Sequence, residues 1–307
     1  MTADRTSADR RAAAAALPAR IAFLGFGLIG GSIARALRDV GAASRIAAWS
    51  PSGRGPAEGR RAGIVDVPAS SPVQALEGAG LVVLAGPPLA VLEGLPGVAD
   101  ARRTGTLPAD ATITDVASTK ARIVAGAGEL GLPFVGGHPM AGRELAGVDA
   151  ADGELFVGRP WVIVRTPESR AADVARVEGL ARAVGAQPVE MAAGAHDRAV
   201  AAISHLPLVL AAALTESVAG AADWALARDL AATGWASATR LARGDVGMGA
   251  GILATNAPAV TARLRDLRAA IDTWLEALDV AEPDADSLRD RLAAAKAALA
   301  PSDAPRR

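Results

Sequence analysis

The sequence predicts an α/β fold: a doubly wound, mostly parallel sheet in the N-terminal half and an all-helical C-terminal half. Three observations predict it. Short apolar runs bounded by glycine or proline alternate with helix-spaced segments as far as about residue 165, the pattern of strand–helix–strand units. A G-x-G-x-x-G run, Gly25 to Gly30, stands between the first such strand and the first such helix. From about residue 169 onward the apolar spacing turns to threes and fours, the stripe of amphipathic helices.

Bulk properties narrow the class. At 307 residues one core is near its size limit, so two domains are the default. The expected division is a disordered tail over 1–18, a sheet domain over 19–168, a helical domain over 169–300 and a tail over 301–307. The 32 basic and 33 acidic side chains leave a net charge of −1, without the basic footprint that nucleic acid or an anionic membrane surface requires. No uninterrupted apolar run reaches the ~18 residues that span a bilayer. The chain has no cysteine, which excludes disulfide and thiolate chemistry, and no tyrosine. Proton transfer near neutral pH then falls to the three histidines, a shifted carboxylate or a shifted lysine. Arg10-Arg11 before an alanine run is a weak echo of an export signal, but alanine makes a poor apolar segment. The expected location is cytoplasmic, and no metal is expected.

Residues 20–25 read as a buried parallel strand, the segment from Ile29 to Val40 as a helix closing at Gly41, and 45–49 as a second strand. That frame makes the glycine run a Rossmann-type dinucleotide site. Gly25 makes the tight turn, Gly27 lets a pyrophosphate approach the backbone, and Gly30 lets the helix pack on the strand. Leu28 and Ile29 open the helix, whose unpaired N–H groups face the phosphates. The end of the second strand selects the cofactor. Where NAD sites place an acidic residue for the ribose, this chain has Ser50, then Ser52 and Arg54. Two hydroxyls and a guanidinium suit a 2′-phosphate, so NADP is favoured over NAD. The alternative is that Arg54 is a solvated loop charge and NAD is accepted.

Further strands are expected at 81–85, 112–116, 134–136 and 161–164, with a last one at 187–191. The loop after the first of these carries Pro87 on the nicotinamide side. A helix is expected from about Ser118 to Leu130. Helices are expected over 171–184, 195–218, 222–243, 259–278 and 285–299. Pro207 removes the N–H that would bond the Ile203 carbonyl, so a kink is expected beside His205. Apolar stripes such as Val260, Leu264, Leu267 and Ile271 suit packing into a homodimer.

One stretch draws the chain together: Gly136-Gly137-His138-Pro139-Met140-Ala141-Gly142. Glycines let a backbone approach a ligand, and proline makes the residue before it extended. His138 is thus expected in a shaped loop at a strand end, as a catalytic base.

Five blocks resemble the prephenate/arogenate dehydrogenase family of tyrosine biosynthesis, over roughly residues 20–260. They are Gly27–Ser32, Asp115–Lys120, Gly137–Gly142 with Glu144 and Gly147, Leu155–Trp161, and a C-terminal set of His196-Asp197, Ser204–Pro207, Thr239–Ala242 and Asn256. The resemblance implies a hydride transfer from the hydroxyl-bearing ring carbon of prephenate, or of its amino analogue arogenate, to the nicotinamide, with loss of carbon dioxide. His138 would take the hydroxyl proton and Ser118 would bond the histidine or the hydroxyl. Arg240 would hold a substrate carboxylate, His205 would lie near substrate or nicotinamide, and Glu144 would gate the site. Each has a plainer alternative: Ser118 as a helix cap, Arg240 as a solvated charge, His205 as a core histidine. His196 lies nine residues before His205, on the opposite face of a regular helix at about 100° per residue, and reads as a helix-start feature. The chain departs from the family at Gly249-Ala250-Gly251, where an aromatic residue commonly follows the methionine. Two rival readings remain. A β-hydroxyacid dehydrogenase would need a lysine on a second-domain helix, where only Lys296 is offered, and a non-catalytic NADP-binding protein has no use for the His138 set.

Overall fold

In a computed structural model, residues 2–143 and 145–299 are described. Among them, eight strands form one sheet in the order β3-β2-β1-β4-β5-β6-β7-β8. The strands are β1 Arg20–Leu24, β2 Arg45–Trp49, β3 Val67–Pro68, β4 Leu81–Leu84, β5 Thr112–Asp115, β6 Phe134–Pro139, β7 Pro160–Arg165 and β8 Gln187–Glu190. All neighbours pair in parallel except β6 and β7. The first six strands follow the doubly wound order with its reversal between β1 and β4, where such sheets bind nucleotides beyond the strand ends. The central strands are apolar because both faces are covered: Ile21, Phe23, Leu81 and Val83 on one side, Ala22, Val82, Leu84 and Ile113 on the other.

The helices of this region are α1 Thr2–Ala15, α2 Leu28–Asp39, α3 Arg54–Arg61, α4 Pro72–Leu76, α5 Pro88–Arg103, α6 Ala121–Glu129 and α7 Ala171–Ala183. The expected tail over 1–18 is not disordered in its described part. Residues 2–15 are helical and α1 packs on α7, burying Ala14, with the Arg10 guanidinium donating to the Ala183 carbonyl at 3.2 Å. The alanine run belongs to this helix and favours it. The expected break at residue 168 also moves. Helix α7 covers the sheet and β8 extends it in parallel register with β7, so the sheet ends at Glu190. The helix expected from Ser118 begins at Ala121, because residues 116–120 pack as an irregular segment around a buried ion pair.

Beyond the sheet lie α8 Ala193–Val200, α9 Leu206–Ala219, α10 Trp224–Asp229, α11 Thr233–Ala238, α12 Val246–Thr255, α13 Ala257–Leu278 and α14 Ala285–Leu299. Residues 201–205 form a π turn between α8 and α9, in which the Leu206 N–H reaches back to the Ala201 carbonyl. This is the irregularity that Pro207 requires. Helix 193–219 is long and apolar enough, by length and composition, to cross a membrane, unlike the uninterrupted runs of the sequence; yet it carries buried His196, Asp197 and His205. One unit runs to Val260 and a second begins at Thr261. Within the second, the Arg291 guanidinium stacks 4.0 Å over the Trp274 ring and bonds the Thr273 carbonyl.

Candidate active site

The nucleotide end of the sheet is built as the glycine spacing demands. Gly25 has φ +92°, and a Cβ there would come within 2.7 Å of the Ala85 and Gly86 backbone. A Cβ at Gly27 would meet nothing within 4 Å, so the approach to the α2 N-terminus is open. Gly30 lies 3.2 Å, measured from an added Cβ, from the Gly25 carbonyl and packs α2 down onto the turn. No side chain caps α2, which leaves the first N–H groups at Leu28 and Ile29 directed at the opening. The Ser50 hydroxyl, at the end of β2, is buried without a hydrogen-bond partner. An open helix N-terminus beside an orphaned hydroxyl fits a dinucleotide. Pro87 caps α5 in the facing loop.

Cofactor selection is less simple than the sequence predicts. The Ser52 hydroxyl accepts the Arg54 N–H at 3.3 Å. The Arg54 guanidinium is exposed but engaged: its Nε lies 2.6 Å from Glu58 Oε1, and Asp149 stands 3.7 Å away. A carboxylate one helical turn along α3 therefore occupies the cation that a 2′-phosphate would need.

The three histidines of the chain are His138 on β6 and His196 and His205 on helix 193–219. His138 lies within β6 itself, paired with Val162, rather than in the loop beyond it. Its Nδ1 is 2.8 Å from His196 Nε2, with the rings edge to face. His196 Nδ1 is 2.7 Å from Asp197 Oδ1. The Asp197 carboxylate also accepts the N–H groups of Lys120 and Ala121, each at 2.8 Å, and so caps α6 from another segment. Asn256 donates to the Asp197 carbonyl at 2.8 Å and lies 3.1 Å from His205 Nδ1. His205 is buried, and its Nε2 has no partner.

The glycines before His138 make room for protein rather than ligand. A Cβ at Gly137 would stand 2.5 Å from the Asp115 carbonyl, and one at Gly136 would stand 3.3 Å from the Lys120 side chain. Lys120 and Asp115 form a fully buried ion pair, and Asp115 also accepts the N–H groups of Gly137 and Ala117. Burial pushes the Asp115 carboxyl up and the Lys120 amine down, while their attraction opposes both shifts. Burial also holds His138 well below the ordinary histidine range, helped by His196, Lys120 and His205. His205 is lowered to about 4, mainly by burial. Asp197 stays below the usual carboxylate range: burial pushes it up, and the bonds from His196, Ala121 and Lys120 outweigh that. His138 is thus neutral at neutral pH with one nitrogen engaged and the other available, the state a general base needs.

Of the other residues singled out by sequence, Ser118 follows β5, half-buried, and forms no hydrogen bond among the described residues; it does not cap α6, whose cap is Lys120. Arg240 is exposed and opens a short 3-10 turn, Arg240–Arg243. Glu144 lies outside the described residues. The glycines at 249–251 fall inside α12, which packs on α5. His196, Asp197, Asp115, Lys120 and Asn256 join the cluster without any site role being legible from the sequence. The regular-helix argument that set His196 apart fails at the π turn, since one extra residue rotates the helix beyond it by about 100°. Pro207 was the signal that the helix is not regular. Among the described residues, no group of three or more acidic or histidine side chains is arranged to hold a metal ion.

Comparison with known proteins decides the family. The nucleotide-binding domain of prephenate dehydrogenase matches residues 33–190, and the dimerization domain of prephenate dehydrogenase matches residues 192–294. The chain belongs to the prephenate dehydrogenase family. It is an NAD-dependent oxidoreductase of that family, and the two domain matches meet where the sheet ends. Prephenate dehydrogenase of Bacillus subtilis is 31% identical over 278 residues, covering 87% of this chain and 72% of that one. Synechocystis arogenate dehydrogenase is 28% identical, with a TM-score of 0.73 over 92% of this chain and 98% of that one. Aquifex aeolicus prephenate dehydrogenase, solved with hydroxyphenyl propionate and NAD+, shares the fold at a TM-score of 0.82 and 24% identity, over 93% of this chain and 99% of that one.

Proposed function

We propose that the protein catalyses the oxidative decarboxylation of prephenate to 4-hydroxyphenylpyruvate, in tyrosine biosynthesis. The observation that carries this reading is His138: neutral, one nitrogen bonded to His196, placed at the carboxyl end of β6 beside the nucleotide end of the sheet. When the hydroxyl-bearing carbon gives up hydride, its hydroxyl must lose a proton, and His138 Nε2 takes it. The nicotinamide, when bound, accepts the hydride. Ser118, with its hydroxyl free among the described residues, fixes the substrate hydroxyl against His138. Arg240 holds a substrate carboxylate as a bidentate partner, and the unpartnered His205 Nε2 donates to a substrate oxygen. Glu144 is the residue we assign to gating.

The backbone from Gly25 to Ile29, Ser50 and Pro87 hold the dinucleotide. Ser52 and Arg54 sit where a 2′-phosphate would lie, but Glu58 already engages the guanidinium. NAD is therefore the cofactor of this reading, and NADP is accepted to the extent that Arg54 leaves Glu58. The exposed apolar side chains of the helical half, Ile203, Leu226, Leu230 and Val246 among them, suit a homodimer in a soluble cytoplasmic enzyme. Arogenate is the second reading, favoured by the likeness to an arogenate dehydrogenase. Initial rates with prephenate and arogenate, each with NAD and NADP, test the proposal: turnover of prephenate with NAD supports it, and turnover of neither substrate refutes it.

A further inference from the structure

Two side chains in a row, His196 and Asp197, lead away from the candidate base, and with His196 uncharged their chemistry leaves one arrangement of protons. The Asp197 carboxylate accepts two backbone N–H groups, at Lys120 and Ala121, so it is ionised and can only accept. His196 Nδ1, 2.7 Å from it, must carry a proton. Neutral His196 then offers a lone pair at Nε2, and this faces His138 Nδ1 at 2.8 Å. His138 must therefore carry its own proton on Nδ1, which leaves the lone pair on Nε2.

A parallel argument sets the third histidine. The Asp197 carbonyl can only accept, so the amide nitrogen of Asn256 faces it. The second hydrogen of that nitrogen points to His205 Nδ1, which is then the lone pair, and His205 carries its proton on Nε2.

We propose that His196, held by Asp197, is the positioning residue that keeps His138 in the tautomer with its lone pair on Nε2, the form able to take a substrate proton. This rests on His138 being the base, as argued above. The geometry also disposes of the charge. When His138 takes a proton on Nε2, its Nδ1–H stays bonded to His196, and the positive charge is shared toward Asp197. His196, Lys120 and His205 all stand close enough to disfavour a cation on His138 in the resting state. Neither His196 nor Asp197 touches substrate; both act through His138. The placement of all three histidines in one connected set, in a chain with no others, makes the arrangement directly readable.

The test uses the intact protein labelled with 15N at histidine, where three imidazoles give three resolvable pairs of ring nitrogens. At neutral pH, without substrate, His138 and His196 are expected with the proton on Nδ1 and His205 with it on Nε2. His138 protonated on Nε2 overturns the proposal, whatever the substrate proves to be. Kinetics add an independent arm. His196→Leu removes the acceptor and should lower kcat at least tenfold with KM within threefold. His196→Gln keeps an amide oxygen toward His138 and an NH2 toward Asp197, and should hold kcat at least tenfold above the leucine variant. Equal kcat in the two variants overturns the proposal. If no prephenate or arogenate turnover exists to measure, the tautomer reading still stands or falls on the spectra alone.

Discussion

The Gly137 N–H donates to Asp115 Oδ1 at 3.0 Å, one residue before the candidate base, and the other carboxylate oxygen is taken by Lys120 and Ala117. The buried ion pair thus pins β5, the loop into α6 and the strand that carries His138. Lys120→Met leaves a buried carboxylate without its cation. Unfolding free energy from urea titration should fall by about 3–5 kcal/mol. A loss under about 1 kcal/mol would mean the pair holds nothing in place.

Acid should reach the base late. His138 is held well below 6.5 by burial and by the neighbouring His196, Lys120 and His205, of which His196 is bonded to Asp197 and Lys120 is paired with Asp115. The neutral form is the active one, so a lowered pKa extends activity downward in pH. The kcat/KM profile should stay flat from pH 7 to below the ordinary histidine range and then fall tenfold per pH unit, reporting the coupled histidines rather than one ring. An acid limb centred above pH 6.5 contradicts this.

The same burial makes stability sensitive to acid. His205 binds its proton near pH 6.5 when unfolded but only near about 4 when folded. The unfolded state therefore holds more protons between those values, and stability falls as pH drops through that window, by roughly 3 kcal/mol for this ring alone. Urea unfolding at pH 7 and pH 4.5 measures it. His205→Gln should flatten the dependence, and an unchanged slope would remove His205 as its source.

Cofactor choice should turn on Glu58. Glu58→Gln frees Arg54 for a 2′-phosphate, and a charge-assisted bond of this kind contributes about 1.5–3 kcal/mol. The ratio of kcat/KM for NADP over NAD should rise about tenfold or more. A ratio within twofold of the parent protein would show that Arg54 does not read the ribose.

Helix α1 should matter to stability. Removing residues 2–15 exposes the face of α7 that α1 covers and strips the Arg10 bond to Ala183. The thermal midpoint should drop by about 2–4 °C for each kcal/mol lost. No change would return the segment to the role of a tail.

The sequence carried the sheet well because buried parallel strands and glycine turns obey local rules: the run at Gly25, the strand at Leu81 and the strand that delivers His138 all stand where the pattern puts them. Local rules failed where the deciding contact was distant. Alanines 12–16 have no preference that reveals α7 as their partner. The irregular stretch before α6 is held by Asp115 and by Asp197 from a helix 76 residues away. A regular helix would turn His196 away from His205, and the π turn beside Pro207 removes that separation. Glu58 falls outside the strand-end pattern because it lies one turn into α3 rather than at the position of a selecting carboxylate.

The central claim is that His138 removes the substrate proton. Its most direct measurement is the turnover of His138→Asn with prephenate and NAD, alongside substrate binding by the same variant. The account predicts kcat at least about a hundredfold lower, the scale of a lost general base, with substrate affinity within a few-fold. Near-normal turnover in that variant would contradict it.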